Sequence, residues 1–344
     1  MKIHLTGTNW HAGTTANLKK ALEAQGHEVF FFDKHLSRNS RIVRNLALRA
    51  SRRPYETENY FYKVASRNWF ASLKAFGPDI ILVEDAPNIL AEYIKKARSL
   101  GKPIFYYEIS PPHGAGARDV LLSFRHVDEV FCIDREWSKY IKHFFGKEIH
   151  FLPLAANPED FYPLPEEKKI YDLAYVASVP EQSPDGLLRA NLINSIPEKY
   201  KVAVAGNGWR YWLRYFPKLE NRIISYSAIS AGELNRLYNQ SEIVLNFHST
   251  MHAASISPRI FEAGLAGVFQ FTDFREDLKY LGIDKYCALF AYPEDIGKAL
   301  EMWIHRKKER QEMAGNLRKI VLENYTWRLS AEKILRVYDE KYAK

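Results

Sequence analysis

Arg259 and Glu262 are the two side chains whose types and spacing promise the most chemistry in this sequence. They stand three residues apart in Ser257-Pro-Arg-Ile-Phe-Glu-Ala-Gly-Leu-Ala-Gly267, so on a helix they share one face. Pro258 suits a first helical turn, where a missing N–H costs nothing. That end of a helix carries free N–H groups and a partial positive charge, and Arg259 adds a fork matched to phosphate oxygens. Glu262, one turn deeper, only accepts hydrogen bonds and could hold the paired hydroxyls of a sugar. A cation for diphosphate beside a carboxylate for ribose is the chemistry of a nucleotide-sugar site. The plain alternative is a surface Arg–Glu helix pair. The surrounding sequence weighs against that alternative.

The elements that would position this pair alternate strand and helix. Apolar runs at 2–6, 27–32, 80–83, 104–107 and 129–133 read as buried strands in the first half. Runs at 173–177, 202–205, 222–225, 243–247 and 268–271 repeat the rhythm in the second, and after Tyr292 the chain reads as mostly helical. Such alternation predicts an α/β protein with parallel sheets covered on both faces. Open parallel sheets bind ligands beyond the carboxyl ends of their strands. In the second half that rule selects Ala177-Ser178, Gly206-Asn207-Gly208 and Asn246-Phe247-His248, together with Arg259 and Glu262. Arg189, in the first helix of this half, could also reach phosphate.

In the first half the same rule selects His11, Glu84-Asp85, Glu108 and His113. A general base needs a pKa near neutrality and contact with the acceptor hydroxyl. Histidine meets the first condition unaided, which ranks His11 ahead of Asp85 and Glu108; the carboxylates would need a cleft that raises their pKa. Gly7 and Gly13 are too far apart for a dinucleotide fingerprint, which weighs against an oxidoreductase.

Ser257-Pro-Arg-Ile-Phe-Glu-Ala-Gly-Leu-Ala-Gly-Val-Phe-Gln270, a following acidic run and Tyr325-Thr-Trp-Arg328 resemble the spore maturation protein CgeB-like glycosyltransferases. The likeness is strongest over about 150–330 and includes Leu152-Pro-Leu-Ala-Ala-Asn-Pro-Glu-Asp-Phe-Tyr-Pro163, which resembles the family's interdomain crossing. It implies the GT-B architecture: two Rossmann-like domains facing each other across a cleft, with a C-terminal helix packing back on the first. The expected spans are 1–155 for the acceptor domain, 166–325 for the nucleotide-sugar domain and 326–344 for the helix. The resemblance implies a UDP-sugar donor, most simply a hexose, and places Asn207 and Gly208 near the base. In inverting relatives a first-loop residue at the place of His11 deprotonates the acceptor, and His113 resembles a histidine that retaining relatives hold near the donor sugar. Retaining relatives also carry a glutamate where this chain has Ala254.

Composition narrows the choice further. Hydrophobic residues make up 47% of the 344, enough for real cores and against global disorder. No apolar run of membrane-spanning length and no charged-then-apolar leader is visible, so a cytoplasmic protein is expected. Cys132 and Cys287 are isolated in apolar runs and read as buried free thiols. No Asp-x-Asp occurs, so a metal–diphosphate site of that kind has no candidate, and a metal-independent reaction with no cofactor is expected. Between Lys34 and Lys74, ten Lys and Arg face two Glu, which gives +8, equal to the net charge of the whole chain. Arg41, Arg44, Arg52 and Arg53 fall near one face of an expected helix whose other side carries Ile42, Leu46 and Leu48. Basic residues followed by Tyr55, Tyr60, Phe61, Tyr62 and Trp69 suit a nucleic acid, an anionic polysaccharide or an anionic membrane surface. Hydroxymethylated DNA and envelope or spore glycans are therefore expected acceptors. A nucleotide-sugar epimerase, or a degenerate glycosyltransferase domain that binds nucleic acid, are the alternatives.

Overall fold

The computed structural model describes residues 1–8, 13–34, 38–86, 88–110, 117–292 and 295–343, with backbone alone at 38–41, 54, 55 and 117. It divides into two units, Met1–Leu152 with Ser330–Lys344, and Pro153–Leu329.

The first unit runs β1 (Lys2–Gly7), α1 (Thr14–Ala24), β2 (Glu28–Asp33), α2 (Arg38–Ala50), α3 (Pro54–Phe76), β3 (Ile80–Glu84), α4 (Ala91–Ala97), β4 (Ile104–Glu108), α5 (Ala117–Ser123), β5 (Glu129–Cys132), α6 (Arg135–Phe145) and β6 (Ile149–Phe151). All six strands are parallel, in the order β2-β1-β3-β4-β5-β6. β3, β4 and β5 are buried along their whole length, as unbroken apolar runs in a covered parallel sheet should be. The strand order reverses between β1 and β3, and a crevice opens at such a point.

The second unit runs β7 (Tyr171–Val176), α7 (Pro184–Ser195), β8 (Val202–Ala205), α8 (Trp209–Trp212), β9 (Ile223–Ser225), α9 (Ala231–Asn239), β10 (Ser241–Asn246), α10 (Pro258–Leu265), β11 (Phe269–Asp273), α11 (Glu276–Tyr280), β12 (Ala288–Phe290), α12 (Ile296–Ile304) and α13 (Lys307–Asn324). Its sheet is also parallel, ordered β12-β11-β10-β7-β8-β9, so the reversal falls between β7 and β10. Leu173, Tyr175, Val204 and Leu245 fill the core on one face, and Val244, Ile260, Phe261 and Leu317 fill it on the other.

The final helix, α14 (Trp327–Lys341), begins in the second unit and ends in the first. There Tyr342 donates to Glu129 at 2.8 Å and Lys341 bonds both oxygens of the same carboxylate at 3.0 Å. The expected return of this helix to the first domain is thus a set of named contacts. Within the second unit the two sequence stretches that flank the glycosyltransferase-like segment meet. Ala156 N–H donates to the Tyr325 carbonyl at 3.2 Å, and Trp327 N–H donates back to Ala156 at 3.3 Å. Cys132 and Cys287 are buried and free, and burial pushes both thiols up to about 12.

Candidate functional site

The reversal in the second sheet gathers the tips of β7 and β10 and the start of α10. Ser257 caps α10, its hydroxyl accepting from the Arg259 N–H at 3.3 Å, and Pro258 fills the first turn. Arg259 and Glu262 share a face, as their spacing requires, and pair at 3.2 Å. The Arg259 Nε also donates to the Val176 carbonyl at the end of β7, at 3.3 Å. Glu262 is buried and accepts from the Tyr238 hydroxyl of α9 at 3.5 Å. The guanidinium that could meet a phosphate is thus held by a carboxylate and a strand-end carbonyl.

Asn246, the last residue of β10, and His248, two residues beyond it, separate into different roles. Asn246 donates to Gln270 at 2.7 Å, and Gln270 donates to the Ile260 carbonyl at 2.7 Å, so Asn246 ties β10 to β11 and α10. His248 Nδ1 lies 2.6 Å from the Asp273 carboxylate, which also accepts the His248 backbone N–H at 2.9 Å. Burial opposes the charge on Asp273, but the His248 hydrogen bonds and the charge of Arg275 outweigh it and hold the carboxyl below its ordinary value. An ionised Asp273 only accepts, so Nδ1 is the donor and Nε2 is left over. Nε2 is buried and has no partner among the described residues.

The Tyr175 hydroxyl and the Arg189 Nε are among the further buried polar atoms of the described residues in that condition. The rest of Arg189 is engaged: it donates to the Ser178 carbonyl at 2.8 Å and pairs with Asp185 at 3.4 Å. Asp185 in turn accepts from the Thr250 N–H at 2.8 Å and hydroxyl at 2.6 Å, joining α7 to the loop after β10. Burial raises the Tyr175 pKa, and the charges of Arg189, Asp273, Asp185 and Arg259 all act on it, so Tyr175 sits among these groups. Buried polar groups without partners are few in native proteins, and each calls for an explanation. Here three of them occur around one sheet end. Tyr175, Asp185, Thr250 and Asp273 escaped sequence reading: Tyr175 looks like core inside an apolar strand. Asp273 carried the same signal as His248, a polar residue closing an apolar run.

Asn207 and Gly208 lie in the turn after β8. Gly206 has φ +139, and a Cβ there would stand 2.0 Å from the Ala177 carbonyl oxygen; at Gly208, with φ +90, it would stand 2.4 Å from that of Val179. Both glycines therefore let the turn lie backbone to backbone on the loop after β7, where Val179 N–H reaches the Asn207 carbonyl at 2.9 Å. Asn207 itself is exposed.

The tips of β3 and β4 in the first unit carry a different chemistry. Glu84, Asp85 and Glu108 all feel the charge of the buried Lys34. Lys34 Nζ donates to the Glu84 carbonyl at 3.3 Å and to the Asp85 carbonyl, and stands 4.0 Å from the Asp85 carboxylate. Burial pushes Glu84 up to about 7, against the pull of Lys34 and a hydrogen bond from the Thr15 hydroxyl. Burial also raises Asp85, opposed by Lys34 and Ser110. It raises Glu108 well above the ordinary range, with the charge of Asp85 adding and Lys34 opposing. Asp85 is the one non-glycine residue with positive φ among the described residues, at 33°. Strain of that kind persists only where neighbours fix it, and it clusters at functional sites. The structure brings Asp85 and Glu108 together. His11 and His113 lie outside the described residues, as does the side chain of Arg41. Lys34, counted above with the basic run, is turned inward and is not part of its exposed charge.

Arg44, Arg52 and Arg53 do not share a helix face, because α2 stops at Ala50 and Arg52 and Arg53 fall in the link to α3. Arg53 pairs with Glu56 at 3.2 Å in the open.

Residues 189–336 match the family described as Glycosyl transferase-like. No curated protein matches the sequence. The fold is similar along its whole length to a sucrose-phosphate synthase from Thermosynechococcus elongatus, with TM-score 0.72, 12% identity and coverage of 100% of this chain and 99% of that one. It is also similar to Anabaena HepE in complex with UDP, with TM-score 0.66, 13% identity and coverage of 99% and 100%. An alpha,alpha-trehalose-phosphate synthase (UDP-forming) from Burkholderia vietnamiensis gives 0.69, 11%, 99% and 100%. The two parallel six-stranded sheets are thus those of a GT-B glycosyltransferase fold, and the stretch similar to the glycosyl transferase-like family contains every candidate donor-site residue from Arg189 to Glu262.

Proposed function

We propose that this chain is a hexosyltransferase that moves a sugar from a UDP-sugar to an acceptor hydroxyl, with the second unit binding the donor. The observation that carries this reading is the set of partnerless buried atoms, Tyr175 Oη, Arg189 Nε and His248 Nε2, beside Arg259 at the β7–β10 reversal. They offer two hydroxyl or N–H donors and a ring nitrogen to a polar ligand, and Arg259 and the start of α10 add positive charge. The family match covers the same ground, and Anabaena HepE, of like fold, is seen with UDP and with UDP-glucose. Asn207 and Gly208 lie beside the base. Arg259 stabilises the leaving diphosphate in place of a metal ion.

The first unit takes the acceptor, with His11, Asp85 or Glu108 receiving its proton and His113 near the sugar. A carboxylate raised by burial is suited to that task at neutral pH. The protein works in the cytoplasm as a CgeB-like enzyme, and hydroxymethylated DNA and envelope or spore glycans are the acceptors to assay. Among the described residues no helix is long and apolar enough to cross a membrane.

Calorimetry with UDP and UDP-glucose in the presence of EDTA tests the donor half of this reading. Binding in the micromolar range that Arg259→Ala weakens is expected. Equal affinity in both proteins, or binding only with a divalent ion, would overturn it.

A further inference from the structure

The helix α2 packs Ala47 and Leu48 half-buried but turns three other aliphatic side chains to solvent. Ile42, Val43 and Leu46 are exposed at 51%, 57% and 59%, while Arg44 lies on the half-buried side that packs on α3. A surface helix of a soluble domain normally shows the reverse, with its apolar stripe toward the core. The stripe lies in strongly basic surroundings. The helix holds Arg38, Arg41, Arg44 and Arg49 and no acidic residue, and Arg52 and Arg53 follow it. Arg49, one turn beyond Leu46 on the same helix, is exposed, and so are Arg52 and Arg53.

We propose that the outward face of α2 docks on an anionic lipid surface. Aliphatic side chains bordered by arginine are what an interfacial helix presents: the apolar residues enter the acyl boundary and the cations meet the headgroups. Charge complementarity selects this occupant over two others. A second copy of the chain would bring one arginine set against its twin, with no carboxylate on the helix to answer it. Nucleic acid would satisfy the arginines but leave Ile42, Val43 and Leu46 in water. The proposal does not depend on sugar transfer, since it rests on α2 alone.

The test is co-sedimentation of the full chain with vesicles of phosphatidylcholine, with and without phosphatidylglycerol. Wild type is expected to bind the anionic vesicles and to lose binding as salt rises. Ile42→Glu with Leu46→Glu should lower partitioning tenfold or more at every salt concentration. Arg49→Gln with Arg52→Gln should lower it roughly fivefold for each charge removed, and only on the anionic vesicles. All four positions are exposed, so unchanged thermal unfolding will show that the variants fold. Three results would each overturn the proposal. One is no vesicle binding at low salt. Another is a wild-type dimer that the Glu variant splits in sedimentation velocity. The third is binding to duplex DNA that exceeds vesicle binding and ignores Ile42→Glu with Leu46→Glu.

Discussion

The carboxyl ends of the two sheets are opposite in character. At the β1–β3 reversal three carboxyl groups feel the charge of one buried lysine, and burial raises the pKa of each. At the β7–β10 reversal Arg189, Arg259 and Arg275 stand among carboxylates, and burial there has not raised Asp185 or Asp273, both held below their ordinary range. The same architecture thus produces one end where burial shifts carboxyl groups toward protonation and one where partners keep them ionised. Partner count explains the contrast. Burial opposes the charge on Asp185 and Asp273, but each accepts several hydrogen bonds and faces an arginine. Glu84, Asp85 and Glu108 share a single cation among three. Under the proposed function the first end suits a hydroxyl that must lose a proton, and the second suits an anion that must be held.

If that division of labour holds, the largest effect should come from the proton-accepting side. His11→Ala should lower sugar transfer by about 10²-fold or more and leave UDP affinity unchanged. Asp85→Asn tests the rival base in the same assay. A fully active His11→Ala beside a crippled Asp85→Asn would move the role to the carboxylate cluster.

The next effect falls on the anion-holding side. Arg259→Ala should cost about 2–3 kcal/mol in UDP binding, the scale of a charge-assisted contact. It should also destabilise the protein, because Glu262 would remain buried without its cation. Adding Glu262→Ala should recover stability in urea titrations without recovering affinity. Recovery of both would mean that Arg259 serves only its neighbour.

Much of this arrangement could be read from sequence, and the failures share a cause. The apolar runs placed ten of the twelve strands to within a few residues. The two that escaped, Ile149–Phe151 and Ala288–Phe290, are three residues long and show too little of a period, although Ile223–Ser225, equally short, was legible. Arg259 and Glu262 could be paired by spacing alone. Orientation could not be read. Lys34 belonged to a basic run in the sequence and is buried under Glu84 and Asp85 in the fold. Ile42 and Leu46 marked an apolar helix face without revealing that it points to water. Tyr175 reads as core because its neighbours are, and only the fold shows its hydroxyl without a partner.

The proton-holding end also predicts a pH dependence. Unfolded, Glu84 ionises near 4.5; folded, burial moves it to about 7. The folded state therefore keeps its proton longer, and the stability this contributes is complete below pH 4.5 and falls as pH rises to about 7. Glu84→Gln should remove that decline, about 3 kcal/mol, and be the more stable protein above pH 7. Urea midpoints measured from pH 4 to 8 would show it. Parallel curves for the two proteins would mean that Lys34 and Thr15 offset the burial of this carboxylate.

The smallest effect is the sharpest test of the other end. Tyr175 is buried with a hydroxyl that finds no partner among the described residues, and such a group costs free energy until something pairs with it. Tyr175→Phe removes one oxygen and keeps the ring that meets Trp209 edge-on at 6.1 Å. Without nucleotide the variant should be as stable as wild type or more stable, by up to about 1 kcal/mol. With UDP that advantage should close or reverse, because wild type gains a hydrogen bond that the variant lacks, worth about fivefold in affinity. Thermal unfolding with and without UDP measures both halves on one pair of proteins. A variant less stable in the absence of UDP would show that the hydroxyl already has a partner in the empty protein. An unchanged response to UDP would place the nucleotide away from Tyr175.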